Sequence, residues 1–214
     1  MKHSKETEPD LLQVHHIAQS INDRAALRVI KTMRFFADRF FASRYGHRAV
    51  VLETVAAVPG MVGGLLQHLR AIRHIRDDQG WIKKLIEEAD NERMHLMTFI
   101  QIVHPSRLER TLIMVAQAVF YNLYFFLYLL TPKTAHRVVG YLEEEAVISY
   151  THYHEEIDAG RVENVAAPHI AIKYWKLPSD ARLRDVVVVV RPDEAHHRDI
   201  NHHFANQIAK GVHS

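Results

Sequence analysis

Residues 91–95 read Asn-Glu-Arg-Met-His, and residues 193–197 read Asp-Glu-Ala-His-His. Each holds a Glu-x-x-His pair, Glu92 with His95 and Glu194 with His197. On an α-helix, positions i and i+3 share a face, so each pair presents a carboxylate and an imidazole together. One such pair means little in a chain with 17 histidines and 25 acidic residues. Two pairs, accompanied by lone acids on other apolar helices, set the pattern of a helical bundle around a polar centre.

Outward from these pairs the chain divides into helical stretches. Residues 25–44 interleave Phe35, Phe36, Phe40 and Phe41 with Arg34, Asp38, Arg39 and Arg44, which predicts a two-faced helix. The next helix runs from about His47 to Arg76. Its segment Ala49–Leu66 is apolar all round except for Glu53, Pro59 should kink it, and Gly60, Gly63 and Gly64 permit close helix approach. A third covers about 79–103 and stops before Pro105, a fourth about 107–130 and stops before Pro132, and a fifth about 133–160. An irregular link through Pro168, Tyr174, Trp175 and Pro178 leads to a last helix, capped by Ser179 or Asp180 and running to about Lys210. Val186–Val190 alone reads as a strand, but the inward aim of Glu194 and His197 calls for helix, with a kink near Arg191 caused by Pro192. The expected fold is all-α, with an N-terminal arm over 1–24 and one bundle domain over 25–214.

Two lone acids complete the pattern. Glu53 is the one acid in its apolar stretch, and a buried carboxylate must neutralise, pair (Arg48 is near) or bind metal. In the run Glu143–Glu144–Glu145, the stripe Val139, Leu142, Ala146 and Tyr150 marks the inward face, and Glu143 belongs to it. Glu144 turns away by about 100° and is expected to be solvated or paired. The order Glu, Glu-x-x-His, Glu, Glu-x-x-His on four helices is the ligand set of ferritin-like di-iron carboxylate bundles. Four carboxylates balance two divalent ions, so the reduced site is neutral in a low-dielectric core. Tyr150, two turns from Glu143 on the same face, either packs in the core with its hydroxyl bonded or donates a proton or electron. His196, His202 and His203 read as surface or interface residues.

Composition narrows the chemistry. The 214 residues include no cysteine, which excludes a disulfide framework, a zinc-thiolate site, an iron–sulfur cluster and a cysteine nucleophile. Metal ligands must then be His, Asp or Glu, which favours iron, manganese or zinc. With 27 basic and 25 acidic residues, net +2, no bulk charge points to nucleic acid. Met1–Glu8 is polar, without the apolar core of a signal peptide or the Arg-rich character of a transit peptide, so no presequence, or one already removed, is expected.

Thr111–Thr131 carries no charge, with Arg110 before it and Lys133 after it. At helical rise it is roughly 31 Å long, close to the thickness of a bilayer's hydrocarbon core. It could span, lie buried in the core with Gln117, Asn122 and its tyrosines, or rest in the interface plane. The Phe-rich face of residues 25–44 suits the interface. Spanning would separate helices that the acids require to meet.

Four blocks then carry a family resemblance: LETVAAVPGMVGG (Leu52–Gly64), NERMHLMTF (Asn91–Phe99), YLEEEAVISYT (Tyr141–Thr151) and RPDEAHHRDINH (Arg191–His202). They resemble the alternative oxidases, cyanide-insensitive quinol oxidases of respiratory membranes, over about residues 25–210. The resemblance implies a homodimer with six long helices, including a four-helix di-iron bundle, and one face buried in a single leaflet through about 25–44 and 107–131. It implies ubiquinol and O2 as substrates, reduction of O2 to water without proton pumping, and two Fe ions as cofactor. By the same resemblance Glu53, Glu92, His95, Glu143, Glu194 and His197 are the metal ligands, with the histidines weak or redox-dependent. Tyr150 matches a redox-active tyrosine, and Asn91 and Asp193 match positions that orient the histidines. Arg48, Leu52, Leu142, Glu145, Ala146 and Ser149 match the quinol pocket, with Arg34 and Asp38 at its mouth. His68, Tyr174 and Trp175 match positions of structural or proton-coupling importance.

Three features depart from the family pattern. Pro192 stands where a plain helix former is expected, Ser149 replaces a common Thr, and the lack of cysteine removes the thiol and 2-oxo-acid activation of some members. The last, with the missing presequence, suggests a bacterial inner membrane over a mitochondrial one. Other functions compatible with the ligand set are a membrane-associated di-iron quinone hydroxylase and an iron-storage protein; a metal-free membrane scaffold is the third competitor.

Overall fold

The computed structural model describes residues 12–211, so the polar segment Met1–Glu8 lies outside the described residues. Seven helices and no strand are found among the described residues: α1 Ile21–Phe41, α2 Tyr45–His74, α3 Trp81–Val103, α4 Arg107–Leu130, α5 Pro132–Asp158, α6 His169–Trp175 and α7 Leu183–Ala209.

Local chemistry sets the boundaries. α1 begins inside the stretch expected as an arm, because Ser20 and Asp23 form a capping box: the Ser20 hydroxyl accepts from the Asp23 N–H at 3.1 Å, and the Asp23 carboxylate accepts from the Ser20 N–H at 3.1 Å. Ser106 and Glu109 do the same for α4. Pro132 opens α5 at a position where its missing N–H costs nothing. α7 starts at Leu183 with Arg182 as its cap, so neither Ser179 nor Asp180 caps it. The backbone of Ala167 and Leu183 is tied to Ala181 and Val165, which holds the chain extended until that point. α7 runs unbroken through Val186–Val190 and Pro192. The valines are helical because one face of the run, Val186, Val187 and Val190, is fully buried against Phe99, Tyr150 and Tyr153. Tertiary burial overrides β propensity there. α6 is a short helix within the stretch that the sequence reads as an irregular link.

Four helices, α2, α3, α5 and α7, form the bundle, paired most closely as α2 with α3 and α5 with α7. Gly60 makes the first pairing possible, since a Cβ there would collide with the backbone of Leu85 and with Ala89. α1 and α4 both pack on α2 and α5, so they share one side of the bundle, while α3 and α7 form the other.

α4 settles part of the question raised by Thr111–Thr131. Its most apolar window is only 11% buried, against 67% for that of α2. It is not a core helix. Tyr124 and Tyr128 face inward, and Gln117 donates to the Thr54 carbonyl, but Leu112, Val119, Leu123, Phe126 and Leu130 stay exposed. Phe35, Phe36 and Phe40 of α1 are exposed on the same side.

Two residues expected near solvent are buried. Glu144 accepts from the His16 N–H at 2.7 Å and contacts His202 at 3.2 Å. The His16 ring stacks on the His202 ring, with centroids 4.2 Å apart, and Arg198 donates to the Val14 carbonyl. A strap before α1 thus lies across α5 and α7 and covers both side chains. The pairing half of the Glu144 expectation holds; His202, expected at a surface or interface, is in the core. Gly140 leaves room for it, since a Cβ there would lie 2.6 Å from the His202 ring. His196 and His203 are exposed, as is His68.

Candidate metal centre

One side chain group comes from each bundle helix: Glu53 from α2, Glu92 and His95 from α3, Glu143 from α5, Glu194 and His197 from α7. All six are buried. Glu53, Glu92, His95 and Glu194 each offer a ligand atom within 4.8 Å of the others. His95 Nδ1 lies 3.2 Å from Glu53, 3.5 Å from Glu92 and 3.2 Å from Glu194. His197 Nδ1 lies 2.5 Å from Glu92 and 4.0 Å from Glu194. Glu143 faces Glu194 and Glu92 closely enough to feel the charge of each.

A cluster of acids this dry is costly without a cation. Burial, then the charge of Glu53, pushes the Glu92 carboxyl well above the usual carboxylate range. Burial, then the charges of Glu194 and Glu92, does the same to Glu143. Glu194 is pushed up to about 7 by burial and by Glu92 and Glu53. Burial also opposes ionisation of Glu53, but the His95 charge together with hydrogen bonds from His95, Glu92 and Tyr150 holds the carboxyl below its ordinary value. Burial would lower His95, yet Glu53 and Glu92 raise it well above the normal imidazole range.

The donor set fits metal. Both oxygens of Glu92, Glu143 and Glu194, and Nδ1 of His197, are buried without a hydrogen-bond partner. Native proteins rarely orphan so many polar atoms in one place, and a divalent cation pair would engage them.

Behind His95 the ring is oriented from its other nitrogen. His95 Nε2 lies 3.3 Å from Asp193 Oδ2, which also accepts from Trp175 Nε1 at 2.9 Å and Asn91 Nδ2 at 3.2 Å. Asn91 also donates to the Tyr174 hydroxyl at 3.0 Å, and Trp175 stacks on His95. α6 brings Tyr174 and Trp175 there. Such partners fix ring direction and basicity. Asp193→Ala should therefore weaken metal retention by about 10–100-fold, read as the chelator concentration that strips half the metal; a wild-type value would show that the Asp193 contact does not orient His95.

A second polar group lies toward α1. Glu145 pairs with Arg34, Arg34 with Asp38, and Asp38 with Arg48, linking α5, α1 and α2. Leu142 is buried in a small apolar cluster against which Leu52 packs. Ala146 and Ser149 are buried one turn and two turns beyond Glu143's neighbours on α5. Tyr150 donates to Glu53 Oε1 and stacks on Phe99 with centroids 5.5 Å apart. It therefore ties the α5 face that carries Ala146 and Ser149 to the acid cluster. The structure thus brings Glu53, Glu92, His95 and Glu194 within ligand reach of one another, with Glu143 and His197 buried around them.

The sequence reading missed a third group. Glu88 accepts from Asn201 Nδ2 at 3.0 Å on both oxygens, Asn201 Oδ1 meets His136 Nδ1 at 2.9 Å, and His136 meets the Tyr128 hydroxyl at 3.1 Å. Gln67 donates to Tyr128. The spacing held a clue: Glu88 is one helical turn before Glu92, and Asn201 one turn after His197.

Comparison with known proteins agrees with this architecture. The chain is 57% identical over 197 residues to a protein of Glycine max named ubiquinol oxidase 2, mitochondrial, covering 92% of this chain and 59% of that one. It is 58% identical over 195 residues to the mitochondrial ubiquinol oxidase of Batrachochytrium dendrobatidis, covering 91% of this chain and 62% of that one. It is 59% identical over 194 residues to alternative oxidase 3, mitochondrial, of Glycine max, covering 91% and 59%. The chain thus spans about three fifths of the length of these relatives. The expectation of a bacterial inner membrane finds no support, since these are plant and fungal proteins with mitochondrial names. Residues 4–206 match the alternative oxidase family, and with the helical bundle and its buried Glu/His cluster this match establishes that the chain belongs to that family.

Proposed function

We propose that this chain carries out quinol:oxygen oxidoreduction, in which two quinols lose four electrons and four protons while one O2 gains both to form two waters. The carrying observation is the buried cluster of orphaned carboxylate oxygens, with the Tyr150 hydroxyl hydrogen-bonded to Glu53 at its edge. Glu53, Glu92, Glu143 and Glu194, with His95 and His197, would hold two iron ions. That pair would supply electron transfer to O2. Ubiquinol as donor rests on the relatives' names, and the absence of proton pumping on the family resemblance.

The chain's own groups have distinct tasks in this reading. Arg48 Nε is buried with no hydrogen-bond partner, a donor available to a quinol oxygen. Glu145, held by Arg34, is placed to take a proton as quinol is oxidised. Leu52, Leu142, Ala146 and Ser149 shape an apolar wall with one hydroxyl. Asp38 bridges Arg34 and Arg48, so it sets the spacing of both cations. The test is O2 uptake by the purified chain with a short-chain ubiquinol and cyanide present. Sustained uptake with quinone and water as products is expected; no quinol-dependent uptake, or a hydroxylated quinone, overturns the reading.

α1 and α4 rest in one membrane leaflet in this reading, supported by their exposed apolar faces on one side of the bundle. Leu123 and Phe126 are 67% and 57% exposed. Each buries on the order of 1.5–3 kcal/mol in lipid, so Leu123→Glu with Phe126→Glu should weaken vesicle partition by about 100-fold or more. Unchanged flotation would move the lipid contact elsewhere. A separate stripe, Met61, Leu65, Leu69 and Ile72 on α2, is exposed at helical spacing and suits a second copy of the chain as a homodimer.

A further inference from the structure

The two sides of the bundle differ in polarity. α1 and α4 cover α2 and α5 with apolar surface, whereas α3 and α7 leave between them a crevice of about 370 Å³. Glu87 and His196 stand exposed on this crevice, while Glu88 and His197 line it from buried positions. We propose that this crevice is the route by which divalent iron enters the centre, Glu87 and His196 capturing the cation, Glu88 receiving it and His197 passing it to Glu92. The proposal rests on the di-iron reading above.

The inner end carries the argument. The His197 ring, 4% exposed, belongs both to the crevice wall and to the acid cluster. Its Nδ1 lies 2.5 Å from Glu92 Oε1, yet neither atom has a hydrogen-bond partner, so the two meet without the angles of a hydrogen bond. Such a pair is arranged as two cation ligands. Glu88 is held beside it, both oxygens fixed by Asn201. A hydrated ferrous ion sheds water only as oxygen or nitrogen ligands replace it, and these residues offer that succession. The α1/α4 side presents exposed hydrocarbon. The crevice's own lysine does not block entry, because the Lys84 ammonium lies over the Phe204 ring at 6.0 Å. Lys83 pairs with Glu87 at 3.6 Å, but both are well exposed and such a bridge yields readily.

The full chain, stripped of metal by chelation, is mixed anaerobically with ferrous iron or cobalt(II), and both the rate of uptake and the final metal content are measured. Glu87→Lys with His196→Gln should slow uptake by about tenfold through lost attraction at the mouth. The final content should stay at the wild-type value, and the slowing should shrink as salt rises. Glu163→Lys, an exposed site on the segment after α5, controls for net charge and should leave the rate unchanged. Glu88→Gln should slow uptake independently; if it fails to fold, the surface double variant decides. Wild-type uptake in the double variant, or equal slowing in the Glu163 control, overturns the route. A wild-type chain that takes up no second metal overturns the di-iron reading itself, a result separate from any change in rate.

Discussion

Glu92→Ala should reduce quinol-dependent O2 consumption in the presence of cyanide to the background of membranes without the protein. Glu92, like Glu194, lies near both imidazoles, 3.5 Å from His95 Nδ1 and 2.5 Å from His197 Nδ1, the latter the shortest of these contacts. Its removal takes away one of the four buried carboxylates of the centre, so iron content should fall below two per chain. The loss would not come from unfolding. In the metal-free protein Glu92 is kept from ionising by burial and by the Glu53 charge. A carboxyl whose folded value is raised above the ordinary 4.5 favours the fold while protonated. That contribution fades as pH rises through the folded value. As pH rises, the stripped Glu92→Ala chain should therefore lose less stability than stripped wild type, because it has no buried carboxyl to ionise at this position. Wild-type oxygen consumption with two irons bound would sink the assignment of Glu92, and a large drop in the stripped melting temperature would show that Glu92 supports the fold instead.

Tyr150→Phe should keep its iron and lose most of its turnover. The hydroxyl is the group that donates to Glu53 Oε1, and the ring stacks on Phe99 inside the largest apolar cluster. Phe preserves the stack and the volume, so folding and metal content should hold. Burial, then the Glu53 charge, raises the phenol well above its usual value, so it stays protonated at any working pH and remains a donor. Losing a positioned proton donor costs about 10²–10⁴-fold in rate. The fall should appear in kcat, with KM for quinol near wild type, because the Tyr150 hydroxyl is engaged by Glu53 of the acid cluster and not by the Arg34–Asp38–Arg48 group that meets the substrate in the proposed reading. Full activity would make Tyr150 a packing residue.

Much of the candidate centre was legible because it is written in local geometry. The i, i+3 relation of Glu92 with His95, and of Glu194 with His197, needs only a helix. Glu143 was separable from Glu144 by the stripe of Val139, Leu142, Ala146 and Tyr150, all of which are buried. The stops at Pro105 and Pro132 placed α4 correctly to the residue. Glu88 and Asn201 escaped because neither residue type is unusual on a helix, and their meaning arises only when α3 faces α7 across the bundle. His202 escaped because its burial depends on the strap at His16 and on the missing side chain of Gly140.

By itself, then, the sequence determined the helices, the four acids and two histidines that face inward, and the absence of any thiolate alternative for metal. These follow from periodicity and composition, which act within one helix at a time. The tertiary structure decided where each helix turns its apolar surface. It placed α4 outside the bundle beside α1, converted Val186–Val190 from a strand-like run into the buried face of α7, and brought α6 up so that Trp175 and Asp193 could aim His95. Those outcomes depend on which surfaces meet, and the free energy of burial that selects them is summed over contacts between segments far apart in the chain.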